Sequence, residues 1–391
     1  MRRVIEEDES FREHSVQLHS SLPREIRQER GIYFTPKKVR DLLFELLHQH
    51  NVHPSRVLEP SCGSGEFLMD AKQHFPDAEC VGVEYNEQLA ISARQTSQLR
   101  VDQADFLTWR DEMEYPLILG NPPYFVLKTD AYKECVTGRA NAFVLFLYKC
   151  ITQHLAPNGI LGFILSTSLY NSSYYQPMRN YLVQHTTILA LENLVDPGFY
   201  DTKQETMLLL IQKTPSVERP YMFELSHRWY MSPYASELKD MVRGATTLSE
   251  LGLKVKTGSV VWNQVKDNLS DEGTLLVYSS NIKEGKFVHG VLSPKKQYVQ
   301  GITKPLLDTP VILVARGYGN SYQFQYVYME ETNCYAENHV NVIYPTSPEA
   351  IPHLHRVVTS FQDSRTMTFI QRFVGNGQLS ATDLETIVPI F

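Results

Sequence analysis

Arg56-Val57-Leu58-Glu59-Pro60-Ser61-Cys62-Gly63-Ser64-Gly65-Glu66-Phe67 reads as a short apolar strand ending in an acid, a glycine-bearing turn and the opening of a helix. Glycines placed between a strand and a helix let the main chain approach a ligand at the strand's carboxyl end. Outward from this stretch, strands and helices alternate over residues 56–214. Cys80-Val81-Gly82-Val83-Glu84 is a second strand, followed by a helix over 86–95 and a third edge over 99–102. A fourth strand covers 117–120, residues 141–154 have helical spacing, and Gly159-Ile160-Leu161-Gly162-Phe163-Ile164-Leu165 is a buried strand. Two more strands, 188–194 and 206–212, close the series. The pattern predicts an α/β fold: a mostly parallel, Rossmann-like sheet of seven strands with helices on both faces.

The chain has 391 residues, 42% of them hydrophobic and 21% charged, which fits a soluble globular protein of two or three domains. No run approaches 18 uninterrupted apolar residues, so no membrane span is expected. Met1-Arg2-Arg3-Val4-Ile5-Glu6-Glu7-Asp8 turns acidic before any hydrophobic stretch forms, so a cytoplasmic protein is expected. The five cysteines form no C-x-x-C pair and no zinc-ligand spacing, so reduced, mostly buried thiols and no metal site are expected. The alternation ends near residue 214. The reading places a first domain over 1–225, with an N-terminal helical arm over 1–36, a linker over 226–244 and a second domain over 245–391. Beyond 253, short β-like runs separated by Gly, Asn and Pro turns are broken by one helix, 351–362.

Several positions in the first domain carry chemistry. Cys62 and Gly63 lie in the glycine turn, where the backbone comes closest to a ligand. Glu84 ends the next strand, where a carboxylate holds ribose hydroxyls or is simply a solvated acid. Asp105-Phe106 offers an acceptor for an adenine amino group and an apolar surface for its ring. Together they describe a pocket for an adenosine-bearing cofactor without a pyrophosphate, which suits S-adenosylmethionine better than a dinucleotide.

Asn121-Pro122-Pro123-Tyr124 follows the apolar run Pro116-Leu117-Ile118-Leu119-Gly120. The exocyclic amino group of a purine is a poor nucleophile because its lone pair is delocalised into the ring. Two fixed acceptors, the Asn121 side-chain oxygen and the Pro122 carbonyl, would bind its two hydrogens and favour a pyramidal nitrogen during methyl transfer. The prolines hold the loop in one shape, and Tyr124 offers a face for base stacking, roughly 1–3 kcal/mol per base.

With Gly31-Ile32-Tyr33-Phe34-Thr35-Pro36, these motifs stand in the order found in the gamma-type (Taq-like) adenine-N6 DNA methyltransferases of type II restriction-modification systems, and residues 25–215 resemble that family. The resemblance implies an S-adenosylmethionine-dependent methyltransferase fold followed by a mixed, β-rich target-recognition domain. It implies cofactor contacts from Tyr33, Thr35, Glu59, Glu84, Asp105, Phe106 and Pro123, with Phe146 lining the pocket. Asn121, Pro122 and Tyr124 are the implied catalytic positions. A second aromatic would hold a flipped base; Phe199 is preferred, with Tyr200 the alternative if the loop register differs by one.

The expected partner is double-stranded DNA, methylated by a monomer. No nuclease motif is apparent, which leaves cleavage to a separate cognate restriction endonuclease. The net charge of −7 opposes a basic-total binder, but residues 245–391 hold 12 Lys+Arg against 13 Asp+Glu, close to neutral. DNA binding needs a local basic face. Lys254, Lys304 and above all Arg316, set among glycines, are candidate phosphate contacts, as are Lys256, Lys295 and Lys296. Two rival readings are a methyltransferase for protein glutamine or RNA amino groups, and a non-catalytic DNA specificity subunit.

Overall fold

Apolar runs flanked by turns pair into one large sheet in the first part of the chain. A computed structural model describes residues 11–23, 25, 27, 31, 33–127, 132–138, 140–194, 198, 205–316, 323–374 and 379–391. The strands are β1 (Arg56–Glu59), β2 (Glu79–Glu84), β3 (Arg100–Gln103), β4 (Tyr115–Gly120), β5 (Leu155–Ser166), β6 (Thr187–Leu194) and β7 (Thr206–Gln212). They lie in the order β3-β2-β1-β4-β5-β7-β6. All pairs among the first five are parallel, and β7 runs antiparallel to both β5 and β6. The strand order reverses between β1 and β4, so a crevice opens at their carboxyl ends, the usual ligand position in such sheets. The register Val57↔Leu117 and Leu58↔Ile118 sets Glu59 beside the end of β4.

Side-chain alternation sends Val57, Leu117, Leu119, Leu208 and Leu210 to one core layer, and Leu58, Ile118, Leu161, Phe163 and Leu209 to the other. Helices α2 (Lys37–Gln49), α3 (Glu66–His74), α4 (Glu87–Ser97), α5 (Ala142–Lys149) and α6 (Gln176–His185) cover both faces, while α1 (Glu13–Ser21) packs with Phe11, Leu22, Phe34 and Leu89 in a cluster of its own. The sequence reading does not assign α2. It buries Val39, Leu43, Phe44, Leu46 and Leu47 along one side, and a Cβ on Gly162 would stand 2.5 Å from Leu43 Cδ1. That glycine lets the helix pack directly on the sheet. A five-residue π-helical turn, Cys150–His154, ends the segment read as one helix over 141–154.

The chain divides into two compact units: the residues up to Glu224 with Arg228–Ala235, and Leu225–His227 with Ser236–Phe391. The second holds an antiparallel sheet of β8 (Leu253–Thr257), β9 (Val311–Ala315), β10 (Tyr326–Met329) and β11 (Val340–Pro345), in the order β8-β11-β9-β10. A second four-stranded sheet joins Leu269–Ser270, Tyr298–Val299, Thr274–Val277 and Cys334–Ala336. The sequence reading expects one helix here, over 351–362, and the structure corrects it. Helix α7 (His353–Gln362) is followed by α8 (Ser364–Val374) and α9 (Ala381–Thr386). Thr366, Phe369, Ile370 and Phe373 are buried at helical spacing in α8. All five cysteines are free and buried. Among the described residues no helix is long and apolar enough to cross a membrane.

Candidate active site

Three segments distant in sequence converge at the carboxyl ends of β1 and β4. The glycine turn follows β1: the Gly65 N–H donates to Cys62 O at 2.7 Å, and the Cys62 N–H to Val83 O at 3.0 Å. Gly63 and Gly65 adopt φ of 54° and 83°, the left-handed region a side chain disfavours. Glu84, at the end of β2, accepts the Gly63 N–H at 2.9 Å and the Asn86 N–H at 2.8 Å. Its carboxylate therefore fixes the turn that the sequence reading expects it to work beside. Burial raises the Glu84 pKa, and these backbone hydrogen bonds oppose the rise.

Glu59 ends β1 beside the carboxyl end of β4. Only 2% of it is exposed, and its Oε2 is buried without a hydrogen-bond partner. Burial first, and then the charges of Glu84 and Asp70, push its carboxyl well above the ordinary carboxylate range. Such a group is costly to leave ionised unless a cation or a donor meets it.

The Asn121-Pro122-Pro123-Tyr124 loop leaves β4 beside Glu59. Asn121 Nδ2 donates to Thr35 Oγ1 at 3.2 Å, and the Tyr124 hydroxyl lies 2.7 Å from both Asn121 Oδ1 and Ile164 O. A phenol has one proton to donate. Donation to Ile164 O leaves Asn121 Oδ1 open to another donor. Tyr124 is half-buried against Phe143, ring centroids 5.8 Å apart, and burial raises its pKa. Ser61 Oγ donates to Asn121 O at 3.3 Å, joining the two loops.

The third segment is the end of the arm. Thr35 is buried, Tyr33 half-buried, and Phe34 faces the glycine turn, its ring 3.6 Å from where a Gly63 Cβ would stand. A charge cluster missed by the sequence reading ties the arm down. Buried Arg40 pairs with Asp70 and Glu66, each at 2.6 Å, and its guanidinium also donates to Thr35 O. Arg12 reaches Asp70 at 2.6 Å, and its N–H donates to Glu66 Oε1 at 3.0 Å. Ser15 Oγ donates to Ser64 Oγ at 2.8 Å. Glu66 and Asp70 stand one turn apart on α3, the helix opened by the glycine turn, so the arm is locked to that turn.

The structure thus brings Thr35, Glu59, Cys62, Gly63, Glu84, Asn121 and Tyr124 to one crevice, with Pro122 and Pro123 in the same loop. Phe106 and Phe146 form a pair 4.9 Å between centroids, but the Phe106 ring is only 2% exposed and packs into the core. Lys149 Nζ donates to the Phe106 and Trp109 carbonyls and holds the Asp105 turn from below. Asp105 is exposed and caps its own turn, accepting the Leu107 N–H at 2.9 Å. Phe199 and Tyr200 lie outside the described residues. A further ring, Tyr85, follows Glu84 at the end of β2 and is 55% exposed. An aromatic directly after a strand-ending acid was the available signal for it.

In the second unit Lys254 and Lys304 are exposed. Arg316 is not a free surface cation. It is half-buried, its guanidinium donates to Asn338 O at 3.2 Å, and its Nε is buried without a partner. Among the described residues no group of three or more His, Cys, Asp or Glu side chains is placed to hold a metal ion.

Residues 66–199 match the family of the Eco57I restriction-modification methylase. The chain is 31% identical to the type II methyltransferase M.CvrRI of Paramecium bursaria Chlorella virus XZ-6E, over 97% of this chain and 99% of that protein. It is also 31% identical to the modification methylase CviBIII of Paramecium bursaria Chlorella virus NC1A, over 98% and 99% respectively. Among solved structures, the M protein of the type I restriction enzyme EcoKI is similar with a TM-score of 0.40 and 18% identity, covering 48% of this chain and 45% of that one.

Proposed function

The chain belongs to the type II restriction-modification methyltransferases, and from that premise we propose that it methylates N6 of a flipped adenine at a specific site in double-stranded DNA. S-adenosylmethionine is the cofactor of the family, and when bound it supplies an electrophilic methyl group on a sulfonium. The residues present fit that molecule: it carries cationic centres, and the crevice holds a buried carboxylate, Glu59, with one oxygen unpartnered. Glu59, Glu84, Thr35, Tyr33, Cys62, Gly63 and Pro123 would hold it, with Asp105 on the adenine side and the buried Phe106–Phe146 pair behind it.

The observation that carries the reading is the setting of Asn121. Thr35 holds the amide from its nitrogen side, and the Tyr124 hydroxyl has a second acceptor in Ile164 O. The Asn121 oxygen can therefore receive an incoming N–H without leaving a protein donor orphaned. With the Pro122 carbonyl, it would bind both hydrogens of the adenine amino group and draw the nitrogen lone pair out of conjugation. Tyr124 would stack on the extruded base, and extrusion itself costs a few kcal/mol. No strong base is required, because the amino proton becomes acidic only as the new bond forms and then leaves through these acceptors to solvent. The first unit would be the catalytic domain and the second the target-recognition domain, acting as a monomer beside a separate cognate endonuclease.

Asn121→Ala tests the reading. DNA binding should stay within about threefold of wild type, while methyl transfer falls by roughly 10²–10³, the usual loss of one transition-state hydrogen bond. Retained methylation would overturn the role assigned to Asn121.

A further inference from the structure

Residues 282–304 hold five lysines and one glutamate, within a region (245–391) whose formal charge is −1. This is a local concentration of positive charge along the chain, of the kind that net charge conceals. Its centre is the loop Val288–Gln297, and the base of that loop is built with care. Asn281 is fully buried, and its Nδ2 lies 2.8 Å from Val288 O, 3.0 Å from Gly290 O and 3.1 Å from Gln297 Oε1, three acceptors that share its two protons. Gln297 accepts the Gly290 N–H at 2.9 Å and donates to Leu276 O at 2.8 Å and Asn281 Oδ1 at 3.1 Å. Two buried amides thus clamp both ends of the loop, each with its donors and acceptors used, which fixes the geometry of what lies between.

What lies between is an apolar tip with cations behind it. Leu292 is 89% exposed, followed by Ser293-Pro294-Lys295-Lys296. Lys295 Nζ stands 4.7 Å from the Tyr278 ring centroid and 5.3 Å from that of Trp262, and Lys266 Nζ stands 5.5 Å from Trp262 on the same surface. Lys296 is paired with Asp271 at 2.8 Å, but both groups are exposed, so a phosphate can replace the carboxylate at little cost. A single exposed leucine is ordinary. A leucine held out on an anchored loop and backed by three lysines and a tryptophan fits a polyanion whose grooves also present apolar base edges.

We propose that this loop is a DNA-reading element of the second unit: Lys266, Lys295 and Lys296 contact backbone phosphates, and Leu292 enters a groove against the bases. The proposal rests on the DNA reading given above. Phosphate contacts set the salt dependence of binding, whereas apolar base contacts set sequence discrimination, so the two kinds of residue separate by experiment.

The test uses the full chain and duplex DNA carrying its methylation site, with a scrambled duplex for comparison. Leu292→Ser should weaken binding to the cognate duplex about tenfold, leave the scrambled duplex unchanged, and keep the salt slope. Lys295→Gln with Lys296→Gln should weaken both duplexes and make the log–log salt slope shallower by about 1–2, at roughly 0.9 per lost phosphate contact. Val217→Ser, an equally exposed apolar residue (92%) in the first unit, serves as the control and should change nothing. If wild type methylates DNA and the loop variants bind and discriminate as wild type does, the loop assignment falls and the DNA reading stands. If wild type methylates RNA or protein but not DNA, both fall.

Discussion

Gly31→Ala should cripple transfer far more than it harms the fold. Gly31 has φ +63°, and a Cβ there would stand 2.7 Å from the Tyr124 backbone nitrogen, with Pro123 Cβ and Phe125 Cδ1 at 3.4 Å. The left-handed backbone costs an alanine about 1–2 kcal/mol. The clash adds a displacement. Ordinary contact begins at 3.4 Å, so the loop or the arm must give by about 0.7 Å, and the atom in the way is main chain, which cannot rotate aside. Misplacement of about 1 Å costs roughly 10²-fold in rate, so a 10- to 100-fold fall in kcat is expected, with a small change in KM for DNA. Gly244→Ala isolates the backbone term: φ is +76° and nothing lies within 4 Å of its added Cβ. Single-turnover methyl transfer and thermal melting of both variants give the comparison. A Gly31→Ala enzyme whose rate matches that of Gly244→Ala would refute the claim that Gly31 sets the position of the Asn121 loop.

Other expectations follow from buried groups. Glu59→Gln keeps the shape of the side chain and removes the charge, so calorimetry should show S-adenosylmethionine binding at least tenfold weaker with DNA affinity unchanged; equal cofactor affinity would remove Glu59 from the pocket. His154 is 1% exposed, neither ring nitrogen has a partner, and burial lowers its pKa from 6.5 to about 4. Because the unfolded chain takes up this proton first, its contribution to stability is intact above pH 6.5 and is lost as pH falls toward 4, by up to about 3 kcal/mol. His154→Phe retains the contacts with Phe106 and Trp109 and should flatten that acid limb in denaturant titrations; superimposable profiles for variant and wild type would count against it.

The sheet is legible because its strands are short apolar runs bounded by turns, and the crevice because Glu59 ends β1 while Gly63 and Asn121 follow β1 and β4, which the topology makes neighbours. The locking of the arm was not legible. Nothing in the local pattern shows that Arg12 and Arg40 meet Glu66 and Asp70 from 54 and 30 residues away. Glu84 ends β2 as the sequence pattern predicts, but its hydrogen bonds from the Gly63 and Asn86 N–H groups depend on the exact fold of the turn. Arg316 looked exposed because glycines follow it, whereas the packed end of β9 draws it inward. Helix α8 did carry a signal, the spacing of Thr366, Phe369, Ile370 and Phe373. Asn281 and Gln297 gave none, since a buried amide clamp looks like two loop residues until the loop is closed.

Transfer of labelled methyl from S-adenosylmethionine to unmethylated duplex DNA, followed by digestion to nucleosides and chromatography, tests the central claim most directly. Label should appear in N6-methyl-2′-deoxyadenosine, confined to one short recurring sequence. Label on cytosine, label only in RNA or protein controls, or DNA bound without any transfer would contradict it.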